Sequence, residues 1–513
     1  MGNNANVYAY LAEGFPEDRS ATAIQTPQRS YSWNDIDELS ARYAGLLAAL
    51  NLPAGARVAV QVEKSPEALM LYLGTLRAGL VYLPLNNAYK AAEVEYFLTD
   101  AEPSVVVCDP ANAGWMQGLA DRLGVANLYT LDADGTGTLA VAASSQPDTF
   151  ETMTVGAADL AAILYTSGTT GRSKGAMLAH GNLVASISTL HDFWQWRSDD
   201  VLLHMLPIFH VHGLFVAAHG ALRAGAKMIW LPSLDVDQAL HHLPQCTVMM
   251  GVPTYYVRLL ADARFGKAQC ERMRLFISGS APLLMDTFNA FRERTGHTIL
   301  ERYGMSETSM LTSNPCDPAL GPRLGGTVGM PLPGGAVRIM NADDQPLPVG
   351  ETGYVQVRGA NVFSGYWRMP EKTREEFTAD GWFRTGDMGR FGGEDIPDNY
   401  LTIVGRSKDL IISGGYNVYP KEIELAIDEM SGVSESAVIG VPHADFGEAV
   451  VAVVVPRAGA QLDAATMISE LKNQLAGFKV PKQIHIVDEL PRNTMGKVQK
   501  NLLRQSWAEA SGA

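Results

Sequence analysis

The chain has 513 residues, too many for one ordinary hydrophobic core, so two or more domains are expected. Its 40 Lys and Arg residues against 55 Asp and Glu residues give a net charge of -15, which argues against general binding to nucleic acid or to an anionic membrane. The N-terminus lacks a basic segment followed by an apolar one, so no secretory signal is expected. No CxxC pair occurs among the four cysteines, and these features together predict a cytoplasmic protein.

The first four fifths of the chain alternates short β-rich runs with amphipathic stretches. Helices are predicted between the runs, for example over 65–79 and 91–101. Strands that alternate with helices indicate parallel α/β sheets. The runs predicted to be strands are 57–62, 81–85, 104–109, 201–206, 227–232, 247–252 and 275–279.

The segment 201–222 contains no Asp, Glu, Lys or Arg and is long enough to span a bilayer. It also contains four histidines and a proline, and it lacks the flanking residues of a membrane anchor. We therefore predict a buried strand, loop and helix here rather than a membrane span.

The character of the sequence changes near residue 325. Between about 325 and 404, short β-rich runs are separated by Gly, Pro and Asp turns, which predicts a small, largely antiparallel β-subdomain. From about residue 410 a compact pattern of strands and helices predicts a separate small α+β domain. The predicted fold class is α/β, with a large N-terminal domain of two parallel or mixed sheets, the β-subdomain, and the small α+β domain.

The stretch ILYTSGTTGRSKGAM (163–177) has the composition of a phosphate-binding loop between a strand and a helix. It is not a Walker A loop, because its spacing is G-x-x-G-x-x-K-G. Its glycines let the backbone approach an anion, its hydroxyls donate hydrogen bonds and Lys174 supplies charge. Composition alone leaves two interpretations open, a phosphate loop and a surface turn without a ligand.

Further motifs follow in order over roughly 330 residues: ISGSAPL (277–283), ERYGMSET (301–308), WFRTGDMG (382–389), VGRSKDLIISGGYNVYP (404–420) and PRNTMGK (491–497). Together with the loop they resemble the adenylate-forming superfamily, which includes acyl-CoA synthetases, luciferases and peptide-synthetase adenylation domains. ERYGMSETSMLTSNP, NVFSGYWRMPEKT, VIGVPHADFGEAV and PRNTMGKVQKNLLR are further similar to bacterial malonyl-CoA synthetases over almost the full length.

This resemblance implies an ATP-dependent malonate–CoA ligase. Malonate and ATP would first give malonyl-adenylate and pyrophosphate, and the CoA thiol would then displace AMP to give malonyl-CoA. Mg²⁺ is the implied cofactor; malonate, ATP and CoA are the implied partners, and no nucleic acid or membrane is expected.

The resemblance also assigns the ATP site. Glu307 would coordinate Mg²⁺, and Thr308 would contact the α-phosphate. The groups that would hold the β- and γ-phosphates are Thr166, Ser167, Gly168, Thr169, Thr170, Gly171 and Lys174. The adenine slot would be lined by Gly279, Ser280, Ala281, Glu301, Arg302, Tyr303 and Gly304.

The C-terminal motifs receive their roles in the same way. Asp387, with Arg406 alongside, would bind the ribose hydroxyls, although an Asp in a Gly-flanked turn is by itself typical of a turn former. Lys497 would stabilise the charge that develops as the anhydride forms, and it would serve only the first half-reaction. In related synthetases this lysine is a recurrent target of acetylation, so a protein acetyltransferase and a deacetylase are possible partners.

In this superfamily the C-terminal domain rotates between the half-reactions. The implied domains are 1–404, a hinge over 405–409 that contains Lys408, and a mobile domain over 410–513. Gly414 and Gly415 would line the CoA tunnel, where a missing side chain leaves room for a narrow thiol channel.

Malonate is a dianion, so its second carboxylate needs a cation or several donors inside the pocket. The candidate is Arg258, which a helix starting near Pro253 would place within its first two turns, unless it pairs with an acidic neighbour or extends into solvent. The other predicted acyl-pocket residues are Ser278, His210, Met305 and Val211. His210 and His212 could also be a metal pair, but without a third ligand at suitable spacing a packing or substrate role is favoured.

Three alternatives stay open at this point. The acid could be methylmalonate, oxalate or an unbranched monocarboxylate. The chain could load a carrier protein, although no carrier domain follows Lys497. It could also be an inactive nucleotide-binding protein, against which Lys174, Glu307, Asp387 and Lys497 argue.

Overall fold

A computed structural model describes residues 4–166, 173–413, 416–443, 447–493 and 496–510. The chain divides into two compact units. The first comprises Met1–Ala336 and Val357–Phe383, and the second comprises Val337–Gln356 and Arg384–Ala513.

The first unit alternates strands and helices. Its strands are β1 (Thr22–Gln25), β2 (Ser30–Ser32), β3 (Arg57–Gln61), β4 (Val81–Pro84), β5 (Val105–Cys108), β6 (Asn127–Thr130), β7 (Leu160–Thr166), β8 (Lys174–Ala179), β9 (Val201–His204), β10 (Lys227–Trp230), β11 (Val248–Gly251), β12 (Leu275–Ser278), β13 (Leu300–Met305), β14 (Ser309–Ser313) and β15 (Met330–Pro331). Its helices are α1 (Val7–Ala12), α2 (Trp33–Ala49), α3 (Pro66–Arg77), α4 (Ala91–Ala101), α5 (Ala113–Leu123), α6 (Thr138–Ala143), α7 (His180–Phe193), α8 (His219–Ala224), α9 (Val236–His242), α10 (Pro253–Ala261), α11 (Met285–Thr295) and α12 (Pro370–Glu376).

These strands form two sheets. One has the order β6-β5-β3-β4-β7-β8 and is parallel except for the β7–β8 hairpin. The other has the order β15-β14-β13-β12-β11-β9-β10-β1-β2 and is parallel from β13 to β1, with antiparallel pairs at both ends. The central strands are buried on both faces, which explains why they read as continuous apolar runs. The predicted strands and the two-sheet architecture are confirmed.

Two helix predictions and the 201–222 prediction are also confirmed. Helix α3 begins at Pro66 after the N-cap Ser65, whose hydroxyl accepts a hydrogen bond from Ala68 N. The segment 201–222 forms β9, the π-helix His212–Ala218 and the start of α8. None of the helices in the described residues has both the length and the apolar character that crossing a membrane requires. Cys108, Cys246, Cys270 and Cys316 are all free thiols.

One local prediction is wrong. The glycine-rich loop does not lead directly into a helix, because β8 follows it and pairs antiparallel with β7 before α7 begins. The run KGAMLA is short and apolar, and periodicity does not distinguish a strand from a helix in such a run. Its pairing with β7 buries Ala176 and Leu178 completely.

The second unit contains a β-subdomain and a small α+β fold. The division between the units passes through the first three strands of the subdomain. The strands are β16 (Gly335–Met340), β17 (Gly353–Gly359), β18 (Phe383–Gly393), β19 (Ile396–Arg406), β20 (Ile411–Ser413), β21 (Tyr416–Val418), β22 (Val433–His443), β23 (Gly447–Pro456) and β24 (Gln483–Ile486), and the helices are α13 (Pro420–Asp428), α14 (Ala464–Gln474) and α15 (Lys500–Ala510).

Strands β16 to β19 form a four-stranded sheet in chain order, and β20 to β24 form the other sheet, in which β24 pairs with β23. The long β22–β23 hairpin is the centre of the small fold, and α13, α14 and α15 pack around it and its neighbours. By compactness most residues of these four strands group with the C-terminal residues. The boundaries 1–404, 405–409 and 410–513 concern which parts move, and they stay a prediction.

Candidate active site

The ends of the glycine-rich loop meet at the top of the β7–β8 hairpin. Thr166 and Lys174 are cross-strand partners, and the Thr166 hydroxyl donates to the Lys174 carbonyl at 3.4 Å. Ser167, Gly168, Thr169, Thr170 and Gly171 lie outside the described residues. Two of the seven predicted phosphate contacts are therefore placed next to each other by strand pairing.

The Lys174 ammonium lies between a carboxylate and an aromatic ring. Its Nζ is 3.5 Å from Glu376 Oε1 and 4.3 Å from the ring centroid of Tyr366. Glu376, at the end of α12, also pairs with Lys372 at 3.1 Å. The predicted phosphate-binding lysine thus shares a carboxylate with a second lysine inside the first unit.

Glu307 and Thr308 lie in the turn between β13 and β14, and both are buried. Glu307 Oε1 accepts a hydrogen bond from the Tyr366 hydroxyl at 3.0 Å. Within the described ranges no cluster of three or more His, Cys, Asp or Glu residues could hold a metal ion unaided. A single carboxylate still fits Mg²⁺, because this ion keeps several waters and takes its remaining ligands from substrate phosphates.

The predicted adenine-slot residues come together where β12 ends beside β13. Gly279, Ser280 and Ala281 follow β12, and 301–304 lie on the neighbouring parallel strand. A Cβ atom on Gly279 would lie 2.4 Å from Arg302 Cζ. The guanidinium therefore occupies the space that any larger residue at 279 would fill.

Arg302 is a buried cation with unused donors. It is 3 % exposed, and burial lowers its pKa to about 9, so it remains charged at neutral pH. Its Nε and Nη2 have no hydrogen-bond partner among the described residues, and neither do Ser278 Oγ and His212 Nε2. Buried polar groups are nearly always hydrogen-bonded, so this set of donors indicates a site for an anionic ligand.

Glu301 does not neutralise Arg302. Its carboxylate accepts a hydrogen bond from Gly326 N at 3.2 Å, and burial raises the pKa of Glu301 to about 8. At neutral pH the carboxyl is therefore largely protonated. The local charge where β12 ends beside β13 is therefore positive.

The predicted acyl-pocket residues differ in how deeply they are buried. Ser278 and Val211 are buried, Met305 is half-buried, and half-buried His210 accepts a hydrogen bond from His212 N at 3.3 Å. The pKa of His212 is well below its usual range because of burial and the nearby charge of Arg302.

Arg258 lies on α10, as predicted, but its side chain is exposed. The same helix packs on β12, since the Tyr256 hydroxyl donates to Ile277 O at 2.6 Å. Arg258 is therefore on an element that borders the strand ends without being enclosed there.

Sequence reasoning missed three features of this site. It placed Arg302 in the adenine slot without noticing its unpaired donors, and it gave no role to Tyr366 or Glu376. The stretch NVFSGYWRMPEKT, which carries part of the resemblance, contains Tyr366, so a tyrosine directly after Gly365 in that stretch was the available signal.

A cavity of about 300 Å³ lies where strands of both sheets of the first unit end. Its lining includes Lys64, Asn87, Phe209, Ser233 and Tyr255. The Lys64 ammonium donates to His204 O at 3.0 Å and to Leu231 O at 2.6 Å, so it joins the loops after β9 and β10. Polar groups such as Glu63 and Asn87 and apolar side chains such as Ile208 share the lining about equally.

The second unit positions its own predicted residues. Asp387 and Arg406 are cross-strand partners on β18 and β19, with 2.8 Å between Oδ1 and Nε. Lys408 is exposed in the turn Ser407–Asp409, and Lys497 is exposed with its backbone N–H donating to Asn493 Oδ1 at 2.9 Å. Gly414 and Gly415 lie outside the described residues.

Comparison with known proteins gives matches over nearly the whole chain. The model of the AMP-binding enzyme family matches residues 11–367, and that of the AMP-binding enzyme C-terminal domain matches 422–497. The mitochondrial malonate–CoA ligase of Mus musculus is 39% identical over 84% of this chain and 78% of its own length. The indoleacetate–CoA ligase of Aromatoleum aromaticum is 35% identical over 94% of each chain.

Among solved structures, the ATP-bound MatB of Rhodopseudomonas palustris is 53% identical, with a TM-score of 0.95 and 99% of both chains covered. The relatives are named for acids as different as malonate and indoleacetate at similar sequence identity. Overall similarity therefore identifies the family more firmly than it identifies the acid. The chain belongs to the AMP-binding enzyme family.

Proposed function

We propose that the protein is an ATP-dependent malonate–CoA ligase that converts malonate, ATP and CoA to malonyl-CoA, AMP and pyrophosphate. The observation that carries the choice of a dicarboxylate is the buried Arg302 guanidinium with two nitrogens that have no partner among the described residues. The malonate–CoA ligases among the relatives support the same choice.

In the first half-reaction one malonate carboxylate attacks the α-phosphorus of ATP, and the bond to the β-phosphate oxygen breaks. Lys174 and the loop that it ends would hold the departing pyrophosphate, and Lys497 would stabilise the charge on the reacting groups. Glu307 would hold Mg²⁺, which when bound neutralises charge on the phosphate oxygens. Asp387 would bind the ribose hydroxyls.

The second malonate carboxylate would bind Arg302. A guanidinium presents donors in a planar fork that matches a carboxylate, and a desolvated pair of this kind discriminates strongly against an uncharged end. Ser278 Oγ is a further buried donor at the neighbouring strand end. We propose Arg258 as a second, weaker contact at the rim, because an exposed cation is screened by water.

The test is a pyrophosphate-release screen of C2–C8 mono- and dicarboxylates with the parent and two variants. Arg302→Met should lower kcat/KM for malonate by at least about 100-fold, because it leaves a buried carboxylate without its cation. Arg258→Ala should lower it by about 3- to 10-fold. Turnover of propionate, which lacks the second carboxylate, should change little in either variant.

Arg323→Met is the matched control. Arg323 is a half-buried arginine of the same unit, and its guanidinium donates to the carbonyls of Pro315, Thr298 and Cys316. Its loss should lower stability without changing the malonate-to-propionate ratio. Parental malonate turnover by Arg302→Met would refute the assignment, and a preference for methylmalonate or another short acid in the screen would replace malonate as the substrate.

The second half-reaction needs a route for the CoA thiol to the acyl carbon, from which AMP then leaves. We propose that the pantetheine arm enters through the 300 Å³ cavity, whose mixed polar and apolar lining suits an arm that carries both amide and methylene groups. Ser233→Trp, at an exposed lining position, should raise KM for CoA and leave malonate-dependent pyrophosphate exchange unchanged. A parental KM for CoA would refute this route.

The proposal also covers acetylation of Lys497 and the location of the protein in the cell. Lys497 is exposed, so acetylation of its amine by a protein acetyltransferase is sterically open, and loss of the charge should stop adenylation. We propose a cytoplasmic location. The matched mammalian malonate–CoA ligases are mitochondrial, so organelle fractionation is the experiment that decides.

A further inference from the structure

Tyr366 lies between the two groups of the first unit that are predicted to handle the charged end of ATP. Its hydroxyl donates to Glu307 Oε1 at 3.0 Å, and its ring centroid is 4.3 Å from Lys174 Nζ. The residue is 4 % exposed, so both contacts are largely shielded from water. One side chain thus touches the proposed Mg²⁺ ligand and the proposed phosphate-binding lysine.

The backbone around Tyr366 is fixed on both sides. Trp367 N donates to Gly175 O at 2.8 Å and Met177 N donates to Gly365 O at 3.0 Å, which joins this segment to β8. Phe363 N donates to Glu307 O at 2.7 Å, which joins it to the β13–β14 turn. The side chain therefore has little freedom to leave the position in which it meets both groups.

The two contacts have different chemistry. The hydroxyl proton restrains one oxygen of the Glu307 carboxylate and so sets the direction in which the other oxygen points. The face of the ring attracts the Lys174 ammonium through its quadrupole, and burial strengthens that attraction. Removing the hydroxyl should affect a metal at Glu307, whereas removing the ring should also affect Lys174.

We propose that Tyr366 is a positioning residue that couples the Mg²⁺ ligand Glu307 to the phosphate-binding Lys174. The proposal rests on the ATP and Mg²⁺ roles in the proposed function, and it does not depend on which acid is used. It predicts two separable effects on nucleotide binding in the absence of an acid, when no turnover occurs.

The experiment is calorimetric titration of ATP into the full-length protein, once with Mg²⁺ and once with EDTA. Tyr366→Phe should weaken binding about 10-fold with Mg²⁺ and leave binding in EDTA unchanged. Tyr366→Leu should weaken binding under both conditions, by about 3-fold in EDTA and by more than Tyr366→Phe with Mg²⁺. Manganese titration at fixed ATP, followed by electron paramagnetic resonance, should show the same loss of metal affinity in both variants.

Tyr31→Phe is the matched control, because Tyr31 is also a buried tyrosine whose hydroxyl donates to a glutamate, Glu67, at 2.6 Å. Its nucleotide binding should equal that of the parent under both conditions. Parental Mg²⁺-ATP affinity in Tyr366→Phe would overturn the proposal, and so would an equal loss with Mg²⁺ and EDTA, which indicates general disruption.

The phenylalanine variant keeps the packed ring and is the decisive variant if the leucine variant does not fold. Failure of the proposed function would give a different result. ATP binding by the parent and the variants would follow the pattern predicted above, but the parent would not release pyrophosphate in response to malonate.

Discussion

Gly279→Ala adds one methyl group against the guanidinium that we assign to the substrate. The new Cβ would lie 2.4 Å from Arg302 Cζ, 2.5 Å from Nη1 and 2.6 Å from Nε, whereas ordinary contact begins at 3.4 Å. Gly279 is not among the residues with a positive φ, so alanine adds no backbone strain. The guanidinium must therefore retreat by about 1 Å, and a displacement of that size can cost about 100-fold in rate.

The assay is malonate-dependent pyrophosphate release, with kcat and KM measured separately and propionate as the comparison acid. We expect kcat/KM for malonate to fall by roughly 10- to 100-fold, with a smaller change for propionate. Gly118→Ala, an exposed helix position where a Cβ meets nothing within 4 Å, is the control. Parental malonate kinetics in Gly279→Ala, together with a parental melting temperature, would refute the claim that this guanidinium binds the acid.

Three further predictions follow from charged groups. Glu376→Gln removes the carboxylate that pairs with Lys174 and should tighten ATP binding by about 2- to 5-fold in calorimetry; weaker binding would contradict this. Glu301→Gln should gain unfolding free energy relative to the parent on going from pH 6 to pH 8. Burial raises the folded pKa of Glu301 to about 8, so the parent loses up to about 1.4 kcal/mol of unfolding free energy per pH unit between its unfolded pKa and 8, whereas the variant does not. Equal slopes of urea-unfolding free energy against pH would disprove it. Lys497→Ala should lower ATP–pyrophosphate exchange at least about 100-fold and spare thioester formation from supplied malonyl-adenylate, whereas undiminished exchange would remove its catalytic role.

Much of the fold could be predicted because its central strands are buried on both faces. The runs 57–62, 81–85 and 104–109 are mostly apolar, and such runs between helical patterns have few alternatives to a parallel sheet. The β8 strand was missed for a related reason. The run KGAMLA, apolar after its lysine, fits a strand or a helix equally, and only pairing with β7 decides between them.

The candidate site was predicted less completely, because unpaired donors are a property of the tertiary structure. The letters ERYGM do not reveal that two Arg302 nitrogens lack partners among the described residues, since this depends on which groups the turns after β11 and β12 bring near. Tyr366 meets a carboxylate 59 residues before it and an ammonium on β8. Motif spacing located these residues along the chain but carried no information on their contacts.

The acidity of the chain constrains how its substrates are recognised. With a net charge of -15, the protein as a whole repels malonate, ATP and CoA, all of which are anions. Attraction must therefore come from a few cations at short range, where burial protects them from screening by water and salt. Arg302 and Lys174 are such groups: the first is almost fully buried, and the second is four-fifths buried and balanced by Glu376. An anion at Lys174 would replace Glu376 as the partner of the ammonium, and an anion at Arg302 would accept hydrogen bonds from its guanidinium. Recognition therefore depends on the position of each cation and little on the overall charge of the surface.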